Sequence, residues 1–245
     1  MSLASAIHHA SRSATRISPI KLNTRTVSSA TTAKVFANTG AAEFVAAAGS
    51  VNSIPKLHGL PEVIVTGRAN VGKSTLLNAV LGRKALLHTS KKAGRTRALN
   101  FFRVGPQPGK LVVVDAPGYG ARGRAEWGAV FEHYIQNRKE LRRIYILFNA
   151  KHPINAFDTQ MLEHLSKMLV TDRGTQPFTL QSVITKADCI PSEKAEEVIT
   201  KMRKDIWGAA PLCLPPIITS AEMNPPFGID VLRKNIADAC ALSKA

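Results

Sequence analysis

Acidic residues are missing where most chains carry them. The first 40 residues contain no Asp or Glu, and none occurs between Val63 and Val114. No apolar run approaches the roughly 18 residues that a membrane-spanning helix needs, so no such helix is expected. An apolar stretch of about 7–15 residues near the start, the mark of a secretory signal, is also missing. The three cysteines, Cys189, Cys213 and Cys240, are scattered and lack CxxC spacing. That excludes a disulfide framework or a zinc knuckle, suits a reducing compartment, and leaves each thiol to be read as core filler. No internal repeat is visible.

What is present is positive charge. The 245 residues carry 33 basic against 17 acidic side chains, a net charge of +16. Residues 1–40 hold only Arg12, Arg16, Lys21, Arg25 and Lys34 among many Ser, Thr and Ala. An Arg-bearing, Ser-rich, acid-free tail has the composition of an organellar transit peptide, with the mitochondrion favoured over the plastid. A merely disordered tail would look similar. Outside the tail 28 basic residues face 17 acidic ones, so an excess of +11 belongs to the remaining chain, 41–245, which is expected to form one domain. The acid-free span carries Arg68, Lys73, Arg83, Lys84, Lys91, Lys92, Arg95, Arg97, Arg103 and Lys110. Its densest part, 91–97, is too polar for a core. It reads either as a solvated loop or as a contact for nucleic acid, since like charges this dense repel unless an anion is near.

The sequence is organised around Gly67-Arg68-Ala69-Asn70-Val71-Gly72-Lys73-Ser74-Thr75. The apolar run Val63–Val65 precedes it, and Leu76, Leu77, Val80 and Leu81 follow at helical spacing. Strand, Gly-rich loop and helix form the context of a phosphate-binding P-loop. Gly67 and Gly72 let consecutive N–H groups converge on an anion, and the helix N-terminus adds its positive dipole end. Lys73 can reach β- and γ-phosphates, and the Ser74 hydroxyl can ligate Mg²⁺.

Three further motifs stand at the ends of apolar runs. Leu111-Val-Val-Val-Asp115 places a carboxylate at a strand's C-terminal edge, where ligands sit in α/β sheets. Asp115 can hold Mg²⁺ through water, and the Gly118 N–H can sense a γ-phosphate. Thr185-Lys186-Ala187-Asp188 follows the strand-like Phe178–Ile184. The Asp188 carboxylate can accept both the N1–H and the exocyclic amine of guanine, a pairing adenine cannot offer. Lys186 would lay its stem along the base and brace the P-loop. Ser220-Ala221-Glu222 ends the last strand, where the Ala221 N–H can donate to guanine O6.

The remaining spacing predicts a short helix around Glu43–Ala48 and strands at 62–66, 98–104, 110–114, 144–148, 178–184 and 216–219. Helices are expected over 125–143, 158–170, 192–206 and 228–241. Cations at Arg138, Lys139, Arg142 and Arg143 would complement the dipole at the end of the 125–143 helix.

Taken in order, GRANVGKST, the Thr96 of AGRTRALNFF, DAPGYG, the Trp127-Gly128 pair, KHPINAFDTQM and TKADCI resemble the EngB (YihA/YsxC-like) family of translation-factor-related P-loop GTPases. The resemblance covers about residues 41–240. It implies an α/β fold, a Ras-like P-loop GTPase domain whose mixed six-stranded sheet is flanked by helices. It implies GTP and GDP as ligands with Mg²⁺, and a role in assembling the large ribosomal subunit. With the tail, that becomes the mitochondrial ribosome, reached through rRNA rather than DNA. Residue by residue, 67–75 become the phosphate loop and Thr96 the switch residue closing on Mg²⁺ and γ-phosphate. Asp115 and Gly118 become the second switch, and Thr185, Lys186, Asp188, Ser220 and Ala221 the base pocket. Catalysis would rest on Lys73, Thr96 and Gly118, and Mg²⁺ on Ser74, Thr96 and Asp115.

Two positions depart from the pattern. After DxxG, where Ras-type enzymes orient water with Gln, stands Tyr119, so slow intrinsic hydrolysis is expected. The family usually shows an acidic residue and an Arg before its His-Pro pair, whereas here Asn149-Ala150-Lys151 precedes His152-Pro153. Asn70 stands where potassium-activated relatives place a K⁺ ligand, and reads equally as an ordinary loop Asn. The function expected is a GTP-gated ribosome assembly factor. A P-loop ATPase or kinase is disfavoured by TKAD and SAE. A GTP-dependent switch for division or membrane traffic, acting through a protein partner, is the alternative; no lipidation motif supports it.

Overall fold

The structure, a computed structural model, describes residues 35–36, 42–83, 85–87, 98–120, 125–171, 174–175 and 178–242. Thr96, the basic loop 91–97 and almost all of the tail lie outside these residues.

The described residues form nine strands and five α-helices. In order they are β1 (Ala42–Ala48), β2 (Glu62–Gly67), α1 (Lys73–Val80), β3 (Leu99–Val104), β4 (Leu111–Asp115), α2 (Ala125–Asn137), β5 (Leu141–Asn149) and α3 (Ala156–Met168). A two-stranded ribbon, β6 (Val170–Thr171) with β7 (Gly174–Thr175), precedes β8 (Thr179–Thr185), α4 (Ala195–Ala209), β9 (Leu214–Ile218) and α5 (Ile229–Ala239). The main sheet has seven strands in the order β1-β3-β4-β2-β5-β8-β9. Pairs β1–β3 and β3–β4 are antiparallel; every other neighbouring pair is parallel. The mixed sheet expected of a Ras-like domain is therefore present, with one strand more than six.

That extra strand is β1, where a helix was expected. Ala suits helices, yet Glu43 forms an ion pair with Arg103, and Phe44 packs edge-on against Phe102 across the ladder at 5.8 Å between ring centroids. Cross-strand pairs of this kind outweigh an intrinsic helix preference of a few tenths of a kcal/mol per residue.

Alternation along the central strands feeds two apolar layers. Ile64 points to one side with Phe131, Tyr134, Leu162, Leu165, Ile199 and Met202 from α2, α3 and α4. Val63 and Val65 point to the other, against Leu76, Leu77 and Val80 of α1 and Leu232 and Ile236 of α5. Both faces of the parallel strands are thus covered, and their near-continuous Val/Ile composition follows from that.

The helix expected over 125–143 stops at Asn137. Leu141 already belongs to β5, beside Glu62 of β2, so Arg142 and Arg143 are strand residues, not helix-terminal cations. Arg138 instead meets the fully buried Glu62, with Nε at 2.9 Å and Nη2 at 2.5 Å, and Tyr134 Oη donates to the same carboxylate at 2.5 Å. Burial, then the neighbouring Glu62 charge, pushes the Tyr134 hydroxyl well above its usual pKa. Of the thiols, Cys240 is core, Cys213 is half-buried and Cys189 is exposed. Cys189 sits in the short 3₁₀ turn 187–189 that carries the chain out of the sheet after β8, so it fills no core.

Candidate nucleotide-binding site

The carboxyl ends of β2, β4, β8 and β9 converge on one edge of the sheet, where connections leave in opposite directions and α/β folds bind ligands. The P-loop leaves β2 there. Asn70 takes a positive φ of 62°, and Gly72 caps α1 at φ 99°, a left-handed conformation that glycine adopts without the Cβ clash. No side chain caps the first turn of α1 and no acidic residue lies in it, which leaves its N–H groups and dipole to an anion. Ser74 and Thr75 sit half-buried in this turn.

Lys73 and Asp115 are both buried, and the Lys73 ammonium forms an ion pair with the Asp115 carboxylate. The two groups read from the sequence as serving a phosphate and a divalent cation thus share one spot, with Ser74 next in the chain. Among the described residues no cluster of three or more His, Cys, Asp or Glu could hold a metal. A single carboxylate and a hydroxyl at a phosphate loop fit Mg²⁺, which takes few protein ligands and completes its shell with phosphate oxygens and water.

The base side is built by the strand ends. Thr185 Oγ1 donates to the Val71 carbonyl at 2.6 Å and lies 3.1 Å from that of Phe148, tying β8 to the P-loop. Lys186, at φ 57°, lays its stem over the loop: a Cβ placed on Gly72 would lie 3.2 Å from Lys186 Cε. Its Nζ donates to the Asn70 carbonyl at 3.3 Å. The expected bracing is observed. A cleft of about 290 Å³ is lined by Gly72, Thr75, Leu76, Thr185, Lys186, Asp188, Thr219, Ala221 and Glu222.

Ser220 does something other than line that cleft. Its hydroxyl hydrogen-bonds the Asp188 carboxylate and so orients it, while its backbone pairs with Phe227 at 3.0 and 2.9 Å. Leu76 and Thr219 are lining residues that no motif announced, and Glu222, the last residue of the SAE motif, lines the cleft as well.

The second switch packs on the P-loop. Ala116 N donates to the Val65 carbonyl at 3.0 Å and Tyr119 N to that of Gly67 at 3.2 Å. A Cβ on Gly118 would lie 3.0 Å from Ala69 N, so a side chain there would press on the P-loop backbone. Tyr119 is turned away from the phosphate side: it is buried, and its hydroxyl donates to Asp158 Oδ1 at 2.9 Å. Arg68 Nε lies 3.1 Å from the same oxygen. Burial above all, and then the Asp158 charge, pushes the Tyr119 hydroxyl well above its usual pKa. Of the expected site residues, the described ones therefore assemble around one cleft and its phosphate end, with Arg68 anchored to α3 and Ala69 and Asn70 exposed. Sequence reasoning gave Asp158 no role; the signals were its place in the KHPINAFDTQM stretch and the Asn155-x-x-Asp158 spacing of a capping box, which the structure contains.

Asn149, in the stretch before His152-Pro153, is also accounted for. Asn149 Oδ1 accepts from Lys151 N at 2.9 Å and closes the turn after β5.

Comparison with known proteins agrees with this geometry. Residues 62–180 match the family model described as 50S ribosome-binding GTPase. A probable GTP-binding protein EngB from Ruegeria pomeroyi is 34% identical over 212 residues, covering 82% of this chain and 91% of the relative. One from Rhodopseudomonas palustris is 38% identical over 200 residues, covering 78% and 85%. Among solved structures, Era from Aquifex aeolicus bound to GDP and AlF4⁻ superposes with a TM-score of 0.54 at 26% identity. Era in complex with MgGDPNP and a 16S ribosomal RNA fragment gives 0.53 at 25%. In both cases 74% of this chain is covered and it spans 56% of the Era chain. A crystal structure of a probable GTP-binding protein engB, at 20% identity and a TM-score of 0.50, shares the fold. The cleft and these relatives lead to one conclusion: the chain belongs to the EngB family of GTP-binding proteins and is a GTPase.

Proposed function

We propose that this GTPase is a nucleotide-gated assembly factor for the large ribosomal subunit of the mitochondrion, acting through rRNA. The observation that carries the reading is the match to a 50S ribosome-binding GTPase model on a chain whose part beyond the tail holds an excess of +11. Phosphate neutralisation dominates binding to RNA, so such an excess suits an rRNA surface. The Arg-bearing, acid-free residues 1–40 support the organellar setting.

The proposed mechanism starts from the site. Asp188, oriented by Ser220, pairs with the guanine edge, and the Ala221 N–H faces O6. The first turn of α1 and Lys73 hold the phosphates, which draws the Lys73 ammonium from Asp115. Ser74, Thr96 and Asp115 would hold Mg²⁺, which supplies charge neutralisation to the phosphate oxygens. The Gly118 N–H meets the γ-phosphate. Ordering of these switches by GTP creates the rRNA-binding surface, and hydrolysis releases it. Tyr119 has no amide and is buried against α3, so intrinsic hydrolysis is slow. Asn70 is the residue through which K⁺ would act.

Density-gradient sedimentation of organelle lysate tests the reading. Co-migration with large-subunit particles in the presence of a non-hydrolysable GTP analogue, and not of GDP, is expected. Protein at the top of the gradient in both states, with particles intact, would overturn the rRNA assignment in favour of a switch acting through a protein partner.

A further inference from the structure

One carboxylate joins three parts of the molecule that the nucleotide mechanism treats separately. Asp158, on the first turn of α3, is 1% exposed. Its Oδ1 accepts from the Tyr119 hydroxyl of the second switch and faces Arg68 Nε of the P-loop, and its Oδ2 accepts from Asn155 N at 3.2 Å. Tyr119 is the residue directly after Gly118. Gly118 is held within touching distance of Ala69, and the 68–119 backbones form a parallel bridge.

A buried tyrosine hydroxyl needs some acceptor, and that need alone would explain one hydrogen bond. It does not explain why the P-loop arginine converges on the same oxygen. Nor does it explain why the tyrosine comes from the segment whose backbone has to meet the γ-phosphate. A charged acceptor shared by two donors is stronger and more directional than a neutral pair. Such a clamp fixes the distance between the P-loop and Gly118 from outside the cleft, through α3.

We propose that Asp158 is a positioning residue for the second switch: by clamping Tyr119 and Arg68 it sets Gly118 where its N–H can meet a γ-phosphate, and so raises the affinity for GTP relative to that for GDP. The inference rests on Gly118 being the γ-phosphate sensor. Base and α/β-phosphate binding use Asp188, Lys73 and the first turn of α1, none of which touches Asp158. Arg68 belongs to the phosphate loop, but its side chain meets Asp158 and does not line the cleft, so GDP affinity should depend little on the clamp.

Tyr119→Phe removes one hydroxyl and keeps the ring in its apolar setting, so the variant folds. Its affinity for a non-hydrolysable GTP analogue should fall about tenfold, the size of one charge-assisted hydrogen bond, while GDP affinity stays within about twofold. Asp158→Asn should lower the same ratio, and the double variant should be no worse than the more affected single one, because both act on one clamp. A packing role alone would lower melting temperature and both affinities together. An unchanged analogue-to-GDP ratio in Tyr119→Phe, or additive losses in the double variant, would overturn the proposal. Gly118→Ala separates the two layers of the argument. If it lowers the ratio while Tyr119→Phe and Asp158→Asn do not, the clamp is wrong and the sensor stands. If none of the three moves the ratio, the sensor assignment falls as well, and the proposal with it.

Discussion

The base half of the cleft and its switch half are held together by different means. Around the base, backbone bonds join the strand ends, and the Thr185, Lys186 and Ser220 side chains add to them. Thr219 N donates to the Ile184 carbonyl at 2.7 Å, Ala187 N to that of Thr219 at 3.2 Å, and Ser220 and Phe227 exchange two bonds. The first two extend the β8–β9 ladder past the strand ends, and the Ser220–Phe227 bridge closes the segment that follows. At the switch, two backbone bonds, Ala116 N to the Val65 carbonyl and Tyr119 N to that of Gly67, are joined by charged side-chain contacts: Lys73 with Asp115, and Tyr119 and Arg68 with Asp158. Such contacts can exchange partners when a phosphate arrives, whereas ladder bonds cannot. On the proposed function, recognition falls to the base half and gating to the adjustable one.

That contrast can be broken from either side. The largest effect is expected from Lys73→Ala, which serves both halves: nucleotide affinity should fall more than about 100-fold, and wild-type binding of a fluorescent GDP would refute the P-loop role. The change also strands the buried Asp115, so a stability loss of about 3 kcal/mol in urea unfolding should accompany it. Asp188→Asn comes next. Selectivity for GTP over ATP should drop by about two orders of magnitude while phosphate-side binding persists, since the lost term is a paired contact to the base edge. Retained selectivity in competition assays would sink the base-pocket assignment. Ser220→Ala should weaken guanine nucleotides only about fivefold, and GTP and GDP equally, because Asp188 keeps its charge and loses one orienting donor. A GTP-specific loss would place Ser220 in the switch half instead. Smallest of all, Tyr134→Phe at the far end of β2 should leave nucleotide affinity unchanged. It should still cost about 1–2 kcal/mol of stability, since Glu62 loses one of its partners. K⁺ in place of Na⁺ should raise hydrolysis; equal rates would remove Asn70 from that role.

The base half was legible in the sequence and the adjustable half only partly so. Phosphate and guanine recognition use short contiguous motifs at strand ends, so GRANVGKST, DAPG, TKAD and SAE each name their place. The Tyr119–Asp158 pair spans 39 positions in the chain and Arg68–Asp158 spans 90, and no local pattern announces a partnership at that range. Thr96 lies outside the described residues, so its expected role stays a proposal. The β1 strand was hidden by alanine, whose helix preference is weak beside the Phe44–Phe102 and Glu43–Arg103 pairs. Arg138 looked like a helix-terminal cation because its partner, Glu62, is 76 residues away.

The contrast between the two halves meets its most direct test in amide hydrogen exchange, with GDP and with a non-hydrolysable GTP analogue. Residues 185–188 and 219–221 should be equally protected in both, while 116–120 gains protection only with the analogue. Equal protection of 116–120 in the two states, or a nucleotide-dependent change at 219–221, would contradict the account.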